Sequence, residues 1–334
     1  MRIKLSHNFE EIINVDNLLL AWKEFIKGKR KKKDVQEFSF NLMDNILELH
    51  YDLKNKIYKH GGYFAFKIHD PKPRDIHKAS VRDRLVHRAI YRMLYPFFDK
   101  IFVADSYSCR LEKGTHKAIK RFTSFNYTAS KNNTKTCWVL KCDIRKFFAN
   151  IDHQILVEIL KEYIPNRDII WLLEEIINSF YSIRFGIGLP LGNLTSQLFV
   201  NIYMNKLDQF VKHKLKAKHY IRYADDFVIL SSNKNWLLRL VPKIDNFLRN
   251  NLKLFLHPDK INIKTVASGA DFLGWVNFSG YRVLRTLTKR RMLKRIQENP
   301  NKETLNSYLG FVKHGNANKF KKEIFEKYIL GINN

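Results

Sequence analysis

Two adjacent acids, Asp225 and Asp226, in the segment IRYADDFVIL, are the residues best suited to do chemistry. Adjacent acids in a turn ordinarily serve the turn, because a short carboxylate accepts hydrogen bonds from nearby backbone N–H groups. Here the flanks are apolar and strand-forming, with Ile221 and Tyr223 before and Phe227 to Leu230 after, and no Gly, Pro or Asn stands at the turn. Two like charges side by side in a half-buried hairpin are costly unless a cation neutralises them. A third acid, Asp143, ends the strand-like segment LKCDI, and pairing that segment with the hairpin would bring Asp143 and Asp225 to one point. Carboxylates that converge with water and substrate phosphate make a magnesium site. Two such ions about 4 Å apart stabilise the attacking and leaving oxygens of a phosphoryl transfer. On the carboxylates alone, a nuclease and a polymerase both fit.

Several elements must position these acids. Cys137 to Ile144 alternates Trp138, Leu140, Cys142 and Ile144 with Val139, Lys141 and Asp143, which predicts a strand, and Tyr220 to Ser232 predicts two short strands around the acids. Residues 10–60 carry apolar positions at the helical period until Gly61-Gly62, and Ser80 to Lys100 is helical until Pro96. Further helices break at Pro165-Asn166, and another starts near Thr195, with Thr195 and Ser196 available as caps. A helix near Trp236 to Asn250, a strand near Ile261 to Lys264, a short strand at Phe272 to Val276 and a basic helical tail complete the chain. Strands and helices mix without regular alternation. The expected fold class is therefore α+β, an antiparallel sheet backed by helices, rather than a doubly wound parallel sheet.

Composition narrows the partner. The 334 residues hold 60 Lys plus Arg against 32 Asp plus Glu, a formal net charge of +28, with 45% hydrophobic residues. Self-repulsion on that scale calls for a polyanion, nucleic acid first and an acidic membrane surface second. So apolar and aromatic a chain, with 25 Phe and 15 Tyr, is not a disordered basic tail. Three cysteines exclude a disulfide scaffold. Met1 to Glu10 lacks the apolar core of a signal peptide, and no stretch reaches the roughly 18 apolar residues of a membrane span, so a soluble, cytoplasmic protein is expected. Basic runs lie at Lys27 to Lys33, at Lys212 to Lys218 and after Gly280. Each alone reads as a solvated face; together they suit a long polyanion touching several places.

The blocks KPRDIHKASVRDRLVHRAI, DSYSCRLEKGTH, LKCDIRKFFANIDH, GLPLGNLTSQLFVNIYM, YADDFVIL, LKLFLHPDKINI and FLGW occur in that order. In this order they resemble the reverse transcriptases. The resemblance implies a right-hand polymerase with an N-terminal helical basic extension over 1–60, fingers and palm over 61–278 and a basic helical thumb over 279–334. Asp143, Asp225 and Asp226 would be catalytic, and with Ile144 would form the site for two magnesium or manganese ions. Phe148, five residues after Asp143, matches the family's steric gate, a ring that collides with a ribose 2′-hydroxyl; outside this motif it would read as a core phenylalanine. GLPLGNLTSQ, taken blindly, is a turn before a capped helix, and it lacks the GK[ST] ending of a nucleotide-triphosphate loop. The resemblance puts Leu191, Gly192 and Gln197 against the nascent base pair. It also makes Lys72, Arg74 and Arg110 candidates for the incoming triphosphate, Lys260 a proton donor to departing pyrophosphate, and Phe272, Leu273, Gly274 and Trp275 the primer grip.

The chain departs from most relatives at two places, with Leu191 where they have Gln and Ser196-Gln197 where they have Ser-Pro. LGNLTSQ and the stretch SYLGFVKHGN resemble the reverse transcriptases of diversity-generating retroelements. That narrower resemblance implies copying of a template RNA into cDNA with errors concentrated at adenines, to diversify a target gene. The implied partners are template RNA, primer and cDNA, dNTPs and a separate accessory protein, with no membrane, in a bacterial, archaeal or phage-encoded setting. Rival readings are a retron, abortive-infection or group II intron-like reverse transcriptase, and a non-catalytic RNA-binding protein with a polymerase fold.

Overall fold

Short polar side chains decide where several helices start. In the computed structural model, which describes residues 3–69 and 73–332, Asn8 and Glu11 form a reciprocal capping box on Phe9–Ile13, and Asn14 caps Val15–Phe25. Ser80 caps Val81–Ile101, Asp152 caps His153–Lys161 and Asn166 caps Arg167–Asn178. Each side-chain oxygen accepts a backbone N–H that the first helical turn leaves unpaired, a contribution of about 1 kcal/mol.

The chain divides into two compact units, each assembled from three stretches. The first comprises Met1–Ala104, Ile144–Lys214 and Ile244–Leu256. The second comprises Asp105–Asp143, Leu215–Lys243 and His257–Asn334.

In the first unit the helix Val81–Ile101 packs with both Val15–Phe25 and Leu194–Gln209. It does not stop at Pro96 as its sequence suggests, but runs on to Ile101. Proline removes one backbone hydrogen bond. Burial of Leu94, Tyr95 and Phe98 around it holds the last turn together. The helix Leu194–Gln209 also departs from expectation, because Asn193 rather than Thr195 or Ser196 occupies the cap position. Asn193 donates through Nδ2 to the His77 carbonyl at 2.9 Å. Most residues of this helix are buried, so it shows no single apolar stripe. Strands β1 (Tyr63–Ile68) and β2 (Arg74–Ala79) form an antiparallel hairpin with Phe64 opposite Lys78 and Phe66 opposite Ile76.

The second unit holds the predicted antiparallel sheet, built from β3 (Trp138–Asp143), β4 (His219–Tyr223), β5 (Asp226–Ser231) and β6 (Asn262–Thr265) in the spatial order β4-β5-β3-β6. Val139, Ile221, Val228 and Leu230 pack against Ala118, Phe122 and Phe125 of the helix Thr115–Ala129. Each such apolar side chain contributes roughly 1.5–3 kcal/mol on burial.

The segment Phe272 to Val276 is two strands, not one. β7 (Ala270–Phe272) and β8 (Trp275–Asn277) are joined through Leu273 and Gly274 at φ 51° and 84°, and β9 (Arg282–Leu284) completes the sheet. Two consecutive positive φ values match the right-handed strand twist of a tight hairpin, a turn that glycine permits and leucine rarely adopts.

The basic tail forms the helices Thr286–Glu298, Lys302–Val312 and Asn318–Ile332, whose inner faces put Met292, Ile296, Leu305, Val312, Phe320 and Ile324 into one cluster with Trp275. Among the described residues no helix is long and apolar enough to cross a membrane. A Cβ on Gly315 would lie 2.0 Å from Trp275 Cζ3, inside a fully buried indole. Gly315→Ala is therefore expected to destabilise this unit by about 1–3 kcal/mol, as overpacking does. A lowered urea midpoint at unchanged slope is the signature to look for.

Candidate active site

The register of the sheet brings the acids together. β3 pairs with β5 so that Asp143 sits directly opposite Asp226, and β4 pairs with β5 so that Tyr223 faces the same Asp226. Ala224 and Asp225 form the two-residue connection between β4 and β5. Asp226 thus lies directly across from Asp143, and Asp225 occupies the adjoining turn. Like charges directly opposite across strands repel. Ala224 holds φ at 56°, the positive value that the first residue of such a turn needs and that favours glycine.

Cations of the same unit approach these carboxylates. Lys141, two residues before Asp143 on the same strand face, places Nζ 3.4 Å from Asp226 Oδ2 and 4.0 Å from Asp271 Oδ1. Lys260 donates through Nζ to Asp143 Oδ1 at 2.9 Å, and the His257 amide donates to the Asp143 carbonyl at 2.8 Å. Burial pushes the Asp226 carboxyl up to about 7; Lys141 opposes the shift, while Asp143 and Asp225 add to it. Neither lysine was singled out for pairing with an acid on sequence. The available signal for Lys141 was its alternation with Asp143 on a strand.

The donor set fits a hard divalent cation. Among the described residues no three His, Cys, Asp or Glu side chains enclose a metal ion by themselves. Magnesium needs less, being held by one or two carboxylates with water and substrate phosphates. Asp226 Oδ1 is buried and accepts no hydrogen bond from the described residues, so an oxygen donor stands unused at the site.

The glycine-containing loop and the expected gate belong to the first unit. The amide of Leu189 donates to the Phe148 carbonyl and that of Gly188 to the Ile151 carbonyl, both at 2.8 Å. His153 Nε2 bonds the Gly188 carbonyl at 2.6 Å, and the His77 amide donates to the Leu191 carbonyl at 2.9 Å. These bonds fasten the loop to the segment carrying Phe148 and to the free edge of β2. Phe148 and Leu191 are half-buried, as is Gln197. Gly192 has φ +106°, and a Cβ there would meet Ile76 Cγ2 at 2.8 Å, so both conformation and space require glycine.

The remaining sequence candidates are placed as follows. Arg74 is exposed at the start of β2, and Lys72 lies outside the described residues. Arg110, in the second unit, donates to the Ser106 carbonyl at 3.0 Å. Ile144 is buried in the first unit and forms a backbone bridge with Leu256. Phe272 and Trp275 are fully buried, so only the Leu273-Gly274 turn of that quartet is open to a ligand.

The raised Asp226 carboxyl has a consequence for stability. Its folded form retains a proton that the unfolded chain, titrating at the ordinary value of 3.8, gives up, so stability is lost as pH rises from about 4 through about 7. In chelator-treated protein, Asp226→Asn is expected to melt higher than the native chain at pH 8 and to show little advantage at pH 4. The difference in gain between the two pH values should be roughly 2–4 kcal/mol. Parallel melting curves across that range would remove the buried-carboxyl account.

With this geometry established, comparison with known proteins places the chain. Residues 59–277, more than half of its length, match the family described as "Reverse transcriptase (RNA-dependent DNA polymerase)". Protein YkfC of Escherichia coli (strain K12) is 28% identical over 233 residues, spanning 58% of this chain and 60% of that protein. The group II intron-encoded protein LtrA of Lactococcus lactis is 23% identical over 295 residues, 68% of this chain and 47% of that one. A putative COX1/OXI3 intron 2 protein of Saccharomyces cerevisiae is 23% identical over 351 residues, 81% of this chain and 40% of its own length. The chain therefore spans 40% to 60% of these relatives. Among solved structures, telomerase from Candida albicans in complex with a fragment of telomeric RNA matches with a TM-score of 0.52 at 12% identity, over 80% of this chain and 54% of that one. At that identity the likeness concerns the fold, the α+β right-hand polymerase. The chain belongs to the reverse transcriptase family.

Proposed function

We propose that the protein is an RNA-directed DNA polymerase that extends a primer on a template RNA by two-metal phosphoryl transfer. The reading is carried by the register that sets Asp143 opposite Asp226 with Asp225 in the adjoining turn, in a chain of this family. Asp143, Asp225 and Asp226, with the backbone at Ile144, would hold two magnesium ions. When bound, these ions stabilise charge on the attacking and leaving oxygens. Lys260 pairs with Asp143 and would be the proton donor to departing pyrophosphate. Phe148 would exclude a ribose 2′-hydroxyl by shape, and Arg74 with Lys72 would meet the triphosphate. The Leu273-Gly274 turn would meet the primer through its backbone. The charge of +28 suits a nucleic-acid duplex, with fingers and palm over 61–278 and a thumb over 279–334.

For the biological role, Leu191 and Gln197 in LGNLTSQ support a diversity-generating retroelement enzyme, error-prone at template adenines and working with a separate accessory protein. Similarity to LtrA and to intron-encoded proteins of yeast supports a group II intron-like enzyme at least as well. Sequencing cDNA made on a defined RNA separates the two. Misincorporation concentrated at adenines supports the first reading, and a uniform spectrum supports the second.

Asp225→Asn should lower primer extension with dNTPs and Mg²⁺ about a thousandfold while leaving the melting temperature within a few degrees. Undiminished extension would exclude the carboxylate from catalysis. Leu191→Gln should restore a polar contact beside the base pair and reduce errors at template adenines severalfold. An unaltered spectrum would make Leu191 a packing residue.

A further inference from the structure

Arg222 is the only lysine or arginine among the described residues whose side chain is fully buried, at 0% exposure. A guanidinium removed from water costs several kcal/mol unless its donors find acceptors. Two acceptors are close at hand, for Arg222 donates through Nη1 to the Ala224 carbonyl at 3.1 Å and through Nη2 to Ser106 Oγ at 3.0 Å. Its backbone is clamped as well. The Arg222 amide donates to the Asp105 carbonyl at 3.0 Å, and its own carbonyl accepts from the Tyr107 amide at 2.9 Å. Ser106 and Arg222 thereby form a parallel bridge at the edge of β4. The clamp is itself anchored, by Arg121 on Asp105 at 2.8 Å and Arg110 on the Ser106 carbonyl at 3.0 Å.

The acceptor of the first bond matters most. The Ala224 carbonyl belongs to the peptide joining Ala224 to Asp225, so a donor fixed on it fixes the plane from which the Asp225 side chain departs. Ala224 holds φ at 56°, a conformation that costs a non-glycine residue of order 1–3 kcal/mol and persists only when its surroundings impose it. Lysine could not serve equally, since it lacks the planar fork that reaches two acceptors in fixed directions.

We propose that Arg222 is a positioning residue, a buried guanidinium that holds the Ala224-Asp225 peptide so that the Asp225 carboxylate stays beside Asp226 at the end of the sheet. The assignment rests on the polymerase reading of that acidic cluster.

The test is calorimetric titration of the full chain with Mn²⁺, alongside thermal melting and primer extension. Arg222→Met should weaken Mn²⁺ binding about tenfold or more and lower kcat about 100-fold. Adding Ala224→Gly to Arg222→Met supplies a residue that takes positive φ without strain, and should return much of the lost Mn²⁺ affinity. Should Arg222→Met fail to fold, Ser106→Ala removes one acceptor while keeping the charge and should still weaken Mn²⁺ binding severalfold. Native Mn²⁺ affinity in whichever of these variants folds, with only a lowered melting temperature, reduces Arg222 to a stability role and overturns the proposal. Asp225→Asn is the control. If it leaves Mn²⁺ binding intact, the reading of the acidic cluster itself falls; if it weakens binding while Arg222→Met does not, only the assignment of Arg222 falls.

Discussion

Three carboxylates crowded at one end of an apolar sheet are the constraint on which the rest of the second unit depends. Asp143 and Asp226 face each other across β3 and β5 only in one register, and a slip of one residue would turn Asp226 to the opposite face. That register is held from a distance, because Val139, Val228 and Leu230 lie on the same face as the acids and are locked against Phe122 and Phe125. The hydrophobic core thus sets the position of charges that would otherwise drive the strands apart.

Compensation for those charges comes from several directions. Lys141 reaches Asp226 along the sheet face and Lys260 reaches Asp143 from beyond the strand end, while Arg222 bonds the Ala224 carbonyl in the turn between β4 and β5. Burial nevertheless outweighs Lys141 at Asp226, whose carboxyl rises to about 7. Under the polymerase reading, a divalent cation would take the place of a proton on Asp226 and use an oxygen that accepts no hydrogen bond from the described residues.

How much of this was legible in the sequence follows from the range of the forces involved. Alternation in LKCDI and in IRYADDFVIL reports burial on one face, which is local, and the strands formed where that pattern put them. The helix past Pro96 was not legible, because the packing that offsets a missing hydrogen bond comes from other helices. The turn at Leu273-Gly274 was hidden by a leucine in a conformation that residue rarely adopts. Arg222 gave no warning of its role, since its partner Ser106 stands 116 residues away. The convergence of the acids was legible, but which of Asp225 and Asp226 stands directly opposite Asp143 required the register.

The loop around Leu191 shows how backbone and side chain divide the labour at a site. Its position is set by main-chain bonds, from the His77 amide to the Leu191 carbonyl and from the Leu189 amide to the Phe148 carbonyl, and by Gly192, which alone fits against Ile76 at positive φ. None of these constraints involves the side chain at 191. An alkyl side chain rather than an amide at 191 therefore changes polarity while leaving the bonds that place the loop intact. Recognition by an alkyl side chain there would rest on shape, and shape alone separates similar partners by only about 1–3 kcal/mol. For the diversity-generating reading, the physical route to error would be the loss of a polar contact on an unchanged frame.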